Sequence, residues 1–304
     1  MSTTTKDKRR GLGIEQRRSL TGWSFLIPAA VLIVVMNFIP MIQAFILSLQ
    51  TGRGATMRFA EPRWMNYARL LKDDVFLLTM KTTFIYLIIQ VPVMLILALI
   101  LANLLNNKNL RFKAFWRTAI FLPCAVSLVS YSMVFRTMFS TNGLINHALS
   151  GLGLIDSPIN WLSGDPMTAR AVIIIGLLWR WTGYNMVFYL AGLSSIDPYT
   201  MEAARIDGAG PIRTFWYVTV PQLKPMILLT VILSTNGTLQ LFDESWNLTY
   251  GGPANSSMSM SHYLYKLSFQ NAPNFGYAAA ISYVILVLVA ILAMIQMRVG
   301  DRRG

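Results

Sequence analysis

Six stretches of the chain, at residues 25–49, 82–105, 114–139, 171–193, 225–246 and 275–297, run for twenty or more residues with few charges. A helix needs roughly 20 apolar residues to cross a hydrocarbon core, where every backbone amide must be satisfied within the segment itself. The runs therefore predict an all-α, polytopic membrane protein with about six transmembrane helices. Composition agrees: 54% of the 304 residues are apolar and 13% charged, with a positive mean hydropathy that soluble domains of this length rarely show.

The first run follows Lys6, Lys8, Arg9, Arg10, Arg17 and Arg18, an order shared with secretory signal peptides. It is longer than their apolar core of about 7–15 residues, carries Pro28 and Pro40, and has no small-residue cleavage site after it. It is expected to stay as the first span, with residues 1–21 a basic, mobile cytosolic tail and residues 22–304 one six-span domain. A net charge of +13 would suit nucleic acid, but its placement fits membrane topology better. With the N-terminus inside, the inner segments hold the six residues just named, then Lys108, Arg111, Lys113 and Arg117, then Arg205, Arg213 and Lys224, then Arg298, Arg302 and Arg303. That is most of the 26 basic residues. The outer segment with Arg53, Arg58, Arg63, Arg69 and Lys72 is a partial exception, accompanied by Glu61, Asp73 and Asp74. Lys and Arg bias sets orientation, so both termini are expected in the cytosol. The single cysteine, Cys124, falls inside the third run, which excludes an intrachain disulfide; it reads as a small buried apolar residue.

The outer connections, 50–81, 140–170 and 247–274, are long and carry aromatic residues and turn signals, as at Asn160-Trp161-Leu162-Ser163-Gly164-Asp165-Pro166 and Gly251-Gly252-Pro253. They predict short helices lying on the outer surface. Of the inner connections, 106–113 is a minimal turn, whereas 194–224 has helical grammar of its own. Asp197 is placed to cap a helix with Pro198 at its first position, continuing over Tyr199 to Ile206, and Gly208 is a stop. Gly210-Pro211 starts a second short helix, helix-compatible over Ile212 to Val218, that Pro221 is expected to break. A nine-residue helix is about 13 Å long, too short to span a bilayer and suited to docking into a partner's groove.

In this loop, Glu202-Ala203-Ala204-Arg205-Ile206-Asp207-Gly208-Ala209, followed by Val218-Thr219-Val220-Pro221, resembles the cytoplasmic "EAA" signature of permease subunits of bacterial ABC importers. Val218 and Val220 stand where the usual form has Ile and Leu. Leu122-Pro123, Asn160-Trp161, Asp165-Pro166, Leu193, Phe242-Asp243 and Gly251-Gly252-Pro253-Ala254 are similar to the carbohydrate branch that serves maltose, other oligosaccharides and glycerol phosphate. The resemblance implies a multi-pass subunit of the bacterial inner membrane that forms half of a translocation pathway for a sugar or related solute. It also implies a second permease subunit as heterodimer partner, a pair of ATP-binding subunits and a periplasmic solute-binding protein. ATP and Mg would be bound by the ATPase pair and no cofactor by this chain. Glu202, Ala203, Ala204, Asp207 and Gly208 are then the ATPase-coupling residues: small alanines permit close helix approach and Gly208 supplies a turn that other residues disfavour.

Ionisable and amide groups within a span are candidates for a solute pathway. In the fourth run, Trp181 and Asn185 share a helical face with Thr182 beside them, a stacking surface and hydrogen-bonding groups that suit a sugar. Arg180, near mid-depth, is either functional or a structural cation paired with Asp243. In the fifth run, Ser234, Thr238 and Leu241 fall on one face and Asn236, Gln240 and Asp243 on nearly the opposite one. One face lines the pathway and the other an interhelical contact; similarity to the maltose permeases favours Ser234 and Thr238, though Leu128, Leu178 and Leu241 depart from that pattern. The candidate solute-binding residues are thus Trp181, Thr182, Asn185, Ser234 and Thr238.

No G-x-x-x-x-G-K-[ST] loop occurs, so the chain is not expected to bind the nucleotide itself. His147 and His262 stand alone in outer loops without metal-ligand spacing, and no catalytic grouping falls at one depth, which argues against an enzyme and against a metal site. The remaining rival is an ion-coupled secondary transporter, which would need a deep coupling acid or repeated broken helices.

Overall fold

A computed structural model describes residues 13–52, 56–107, 109–270 and 272–301. Lys6, Lys8, Arg9, Arg10, Arg53, Lys108, Arg302 and Arg303 lie outside the described residues. The fold is all-α apart from a two-residue antiparallel ladder, β1 (Gln50–Thr51) with β2 (Arg58–Phe59), in the first outer connection.

Four helices are long and apolar enough to cross a membrane: Thr21–Ser48, Asp74–Asn106, Pro166–Ser194 and Phe275–Gly300. Two further runs pass the same test only as bent pairs, Lys113–Ala125 with Leu128–Met138 at 96° and Pro211–Gln222 with Lys224–Leu239 at 71°. Counting each pair as one span gives the six expected. The first span comprises α1 (Ile14–Ile33), a π turn at Val34–Phe38 and α2 (Ile39–Ser48). Helix therefore begins at Ile14, so the last part of the expected tail continues the first helix.

The third run, read as one helix, is α5 (Lys113–Ala125) and α6 (Leu128–Met138), with Val126 and Ser127 extended between them. Pro123 near the end of α5 removes a backbone donor just where the helix stops. In the fourth, α8 (Pro166–Ser194), Asp165 caps the start by accepting from the Met167 and Thr168 amides. Gly183 lies so close to α5 that a Cβ there would sit 1.9 Å from the Ile120 carbonyl oxygen. The bend in the third span and the glycine in the fourth are two sides of one contact.

After α8 come α9 (Pro198–Ile206), α10 (Pro211–Thr214), a π turn at Phe215–Thr219, α11 (Val220–Gln222) and α12 (Lys224–Leu239). Pro221 does not break the helix; the bend falls later, at Leu223. The reason lies in the π turn, which ends two residues before Pro221 as the one in the first span ends two residues before Pro40. A wider turn makes room for the proline ring and its missing N–H. The fifth run also divides: α12 ends at Leu239, and α13 (Asp243–Thr249) is a separate short helix.

The last outer connection does not lie on the surface. Ser256, Ser257, Met258, Ser259, Met260 and His262 are buried. This segment plugs into α4 (Asp74–Asn106), where Thr82 donates to the Ser256 carbonyl at 2.9 Å, Tyr86 to the Ser257 carbonyl at 2.9 Å, and Thr83 accepts from the Met260 amide at 3.1 Å. These hydroxyls give three of the loop's buried backbone groups a partner. In the other outer connections, α3 (Met65–Leu70) and α7 (Leu144–Gly151) are short helices as expected.

Three apolar clusters hold the protomer together: α4 against the inner half of α8 with Leu223; α4, α14 (Met260–Tyr265) and α15 (Phe275–Asp301); and α6, α8 and α13. At the outer end, Asp73 ties the second cluster. It caps α4 through the Val75 and Phe76 amides and accepts the phenols of Tyr277 at 2.6 Å and Tyr263 at 2.7 Å. Burial pushes this carboxyl up, but the Tyr277 and Tyr263 phenols and the two amides outweigh it and hold it below the usual carboxylate range.

Candidate functional site

The fourth span turns Asn185 toward α4 and α12. Its Nδ2 donates to the Trp181 carbonyl at 3.0 Å and lies 3.6 Å from the Met94 sulfur, and its Oδ1 accepts from Ser234 Oγ at 3.4 Å. One turn outward, Thr238 Oγ1 donates to Gln90 Oε1 at 3.2 Å, and Gln90 Nε2 reaches the Met94 sulfur at 3.0 Å. Gln90, Met94, Asn185, Ser234 and Thr238 thus form one polar ring contributed by the second, fourth and fifth spans. Gln90, Asn185 and Thr238 are buried and Ser234 is half-buried.

Three of the five expected solute-binding residues are therefore joined. Trp181 adjoins the ring, packing edge-on to Tyr184 at 5.6 Å with the Arg180 guanidinium 5.5 Å from its own ring. Thr182 donates to the Leu178 carbonyl of its own helix at 2.6 Å and makes no cross-helix bond among the described residues. On the opposite face of α12, Asn236 and Gln240 are exposed and bonded to each other. Gln90 and Met94 were not singled out from the sequence; the signal for Gln90 was present, an amide in an otherwise apolar run.

Arg180 is not paired with Asp243, which is exposed. Its Nη1 instead donates to the Val126 carbonyl at 3.1 Å, a group freed by the break in the third span, and its guanidinium sits 5.0 Å over the Tyr131 ring. The buried carboxylate in its field is Glu244, the neighbour of the residue expected, because α13 turns Glu244 inward and Asp243 outward. Cys124 is half-buried rather than buried.

His262 is held at the buried outer plug, its Nδ1 2.8 Å from Ser245 Oγ. Burial first, and the Lys266 ammonium second, push it down to about 4, so it is neutral near pH 7. Its ring partners are Trp246 and Phe242, and no cluster of three or more His, Cys, Asp or Glu able to hold a metal occurs among the described residues.

In the connection after α8, Asp197 accepts from the Tyr199 amide at 2.9 Å and starts α9. Gly208 follows in the left-handed region at φ 74°, and the Asp207 and Ala209 amides return to the Ala203 and Ala204 carbonyls, both at 2.9 Å. A Cβ added at Gly208 would meet nothing within 4 Å, so its backbone angle, not space, calls for glycine there. Glu202, Ala203, Asp207 and Gly208 are exposed and Ala204 faces inward. Tyr199, Ile206 and Ile212 are each more than three-quarters exposed, an apolar surface unusual for a free loop.

Residues 82–303 match the family model described as the binding-protein-dependent transport system inner membrane component. The chain is 46% identical to the lactose transport system permease protein LacF of Rhizobium radiobacter over 305 residues, covering 100% of both. It is 31% identical to the trehalose/maltose transport system permease protein MalF of Thermococcus litoralis, covering 95% of this chain and 97% of that one. Among solved structures, it is similar to a chain from a bacterial ABC transporter involved in the import of the acidic polysaccharide alginate. The TM-score is 0.82 at 21% identity, covering 95% of this chain and 98% of the other.

Proposed function

The chain belongs to the family of binding-protein-dependent transport system inner membrane components, and on that premise we propose that it forms half of the pathway of an ATP-driven sugar importer. The observation that supports this most is the conjunction of a buried polar ring between three spans with an ordered, outward-facing short helix at the inner end. The ring offers neutral amides and hydroxyls beside an aromatic surface, which suits a carbohydrate's hydroxyl edges and C–H faces. Closed, these groups satisfy one another; opened, they exchange those bonds for solute hydroxyls.

In this reading Trp181, Thr182, Asn185, Ser234 and Thr238 contact the solute, joined by Gln90. Residues 194–224 couple to an ATPase pair through Glu202, Ala203, Ala204, Asp207 and Gly208, whose closure moves α9 and the spans attached to it. A second permease completes the pathway and a periplasmic binding protein delivers the solute. Both termini lie in the cytosol, residues 22–304 act as one permease domain, and ATP and Mg stay on the partner subunits.

The test is uptake across a sugar panel, lactose and trehalose included, by assembled complexes carrying Trp181→Ala, Asn185→Ala or Thr238→Val. Loss of one polar contact costs about 1–3 kcal/mol, so uptake of at least one sugar is expected to fall roughly tenfold to a hundredfold. The binding protein's own affinity stays unchanged. Wild-type uptake of every sugar by all three variants, with a loss in Asn236→Ala and Gln240→Ala instead, would move the pathway to the other face of α12.

A further inference from the structure

The elbow between the second and third spans combines three features that packing within the protomer does not explain. Its charge has one sign: Lys108, Arg111, Lys113 and Arg117 fall within residues 106–117, with no Asp or Glu. The side chains of Arg111, Lys113 and Arg117 make no hydrogen bond or ion pair among the described residues. Second, Phe112 begins α5 in the left-handed region, at φ 57° and ψ 38°, without a side-chain cap, and is 79% exposed. A bulky residue with positive φ is a strained outlier, and such strain persists where something outside the local chain rewards it. Third, Phe115 and Trp116, edge to face at 5.3 Å, are 62% and 46% exposed.

Water penalises the exposed rings and leaves the clustered cations repelling one another; a membrane surface carrying phosphates favours both, and a contact there can reward the strained turn. Aromatic rings settle at headgroup depth, and basic residues beside them sit among phosphates. The elbow lies where α4 ends at Asn106 and α5 begins at Lys113, the level at which two spans emerge. The coupling loop, by contrast, mixes signs with Glu202, Asp207 and Arg213, as a protein-facing surface does.

We propose that the elbow at residues 107–117 binds headgroups of anionic phospholipid, with Arg111, Lys113 and Arg117 on the phosphates and Phe112, Phe115 and Trp116 at the glycerol level. The choice of the cytosolic leaflet rests on the orientation proposed above; the lipid chemistry does not.

The complex, purified whole into nanodiscs of phosphatidylcholine containing phosphatidylglycerol with a photoreactive headgroup, is irradiated and the crosslinks are mapped by peptide mass spectrometry. Wild type is expected to crosslink at residues 107–118. Arg111→Gln, Lys113→Gln and Arg117→Gln together are expected to lower that yield about tenfold or more while the partner subunits still copurify. Phe112→Gly is expected to lower the yield while raising thermal stability in detergent, since glycine relaxes the left-handed turn. Wild-type crosslinks that fall elsewhere, or a triple variant that crosslinks like wild type, overturn the proposal. So does a triple variant that sheds its partner subunits, which makes the elbow a subunit contact. None of these readouts uses transport, so loss of sugar uptake bears on the permease reading alone.

Discussion

Two glycines seven residues apart on α8 differ in what they protect. At Gly183 an added Cβ would meet the Ile120 carbonyl oxygen at 1.9 Å and its carbon at 2.7 Å, backbone that cannot swing aside. At Gly176 the nearest atom is the Leu248 Cδ1 at 3.4 Å, ordinary contact. Gly183→Ala is therefore expected to destabilise the subunit by about 1–3 kcal/mol or more, whereas Gly176→Ala is neutral or stabilising by up to about 1 kcal/mol. Thermal unfolding of the two variants in one detergent checks the contrast. His262 is expected to make stability depend on pH. Its folded value of about 4 lies below the ordinary value near 6.5, so the unfolded chain binds more protons between these limits. The contribution of this ring to stability is expected to be full above about pH 6.5, to fall by about 3 kcal/mol as pH drops to 4, and to level off below. His262→Asn is expected to flatten that window; a wild-type melting temperature constant from pH 7 to pH 4.5 would show the ring to be solvated.

At the scale of elements, the coupling loop was the most legible part of the chain. A cap, a proline at the first position and a glycine stop are local rules, and α9 obeys each of them. Glu202→Lys and Gly208→Pro are expected to leave insertion intact and abolish uptake with solute-stimulated ATP hydrolysis; proline cannot adopt the φ of 74° that Gly208 holds. Normal coupling in both variants, measured as ATP hydrolysis with and without solute, would remove the loop from energy transfer. The broken spans were less legible, because hydropathy reports length and not straightness. The bend at Val126 depends on Arg180 taking its carbonyl and on Gly183 admitting α5, both from another helix. Pro221 misled for the complementary reason: a π turn ahead of it absorbs the disruption, and no local residue pattern announced that turn. The buried plug at residues 256–262 was hidden in the same way, since backbone groups that at a surface turn would face water here bond to the hydroxyls of Thr82, Ser245 and Thr83.

For the molecule as a whole, the apolar runs of a polytopic all-α protein were written in the sequence, whereas the polar ring was legible only by halves. The amides and hydroxyls of α8 and α12 stood out within apolar runs, but which face of α12 meets α8 depends on how three helices pack. Orientation is open to direct test in a Cys124→Ala background: cysteine at the exposed Ser150 is expected to label from outside in sealed cells, and labelling only after permeabilisation would invert the topology. The energy source is the most decisive question, because it separates an ATP-driven permease from an ion-coupled carrier. Proteoliposomes holding this chain with its second permease and ATPase pair, supplied with the periplasmic binding protein, allow uptake of radiolabelled sugar to be timed. Uptake is expected to require both internal ATP and the binding protein and to persist when ionophores collapse proton and sodium gradients. Uptake driven by an imposed ion gradient without ATP would contradict it.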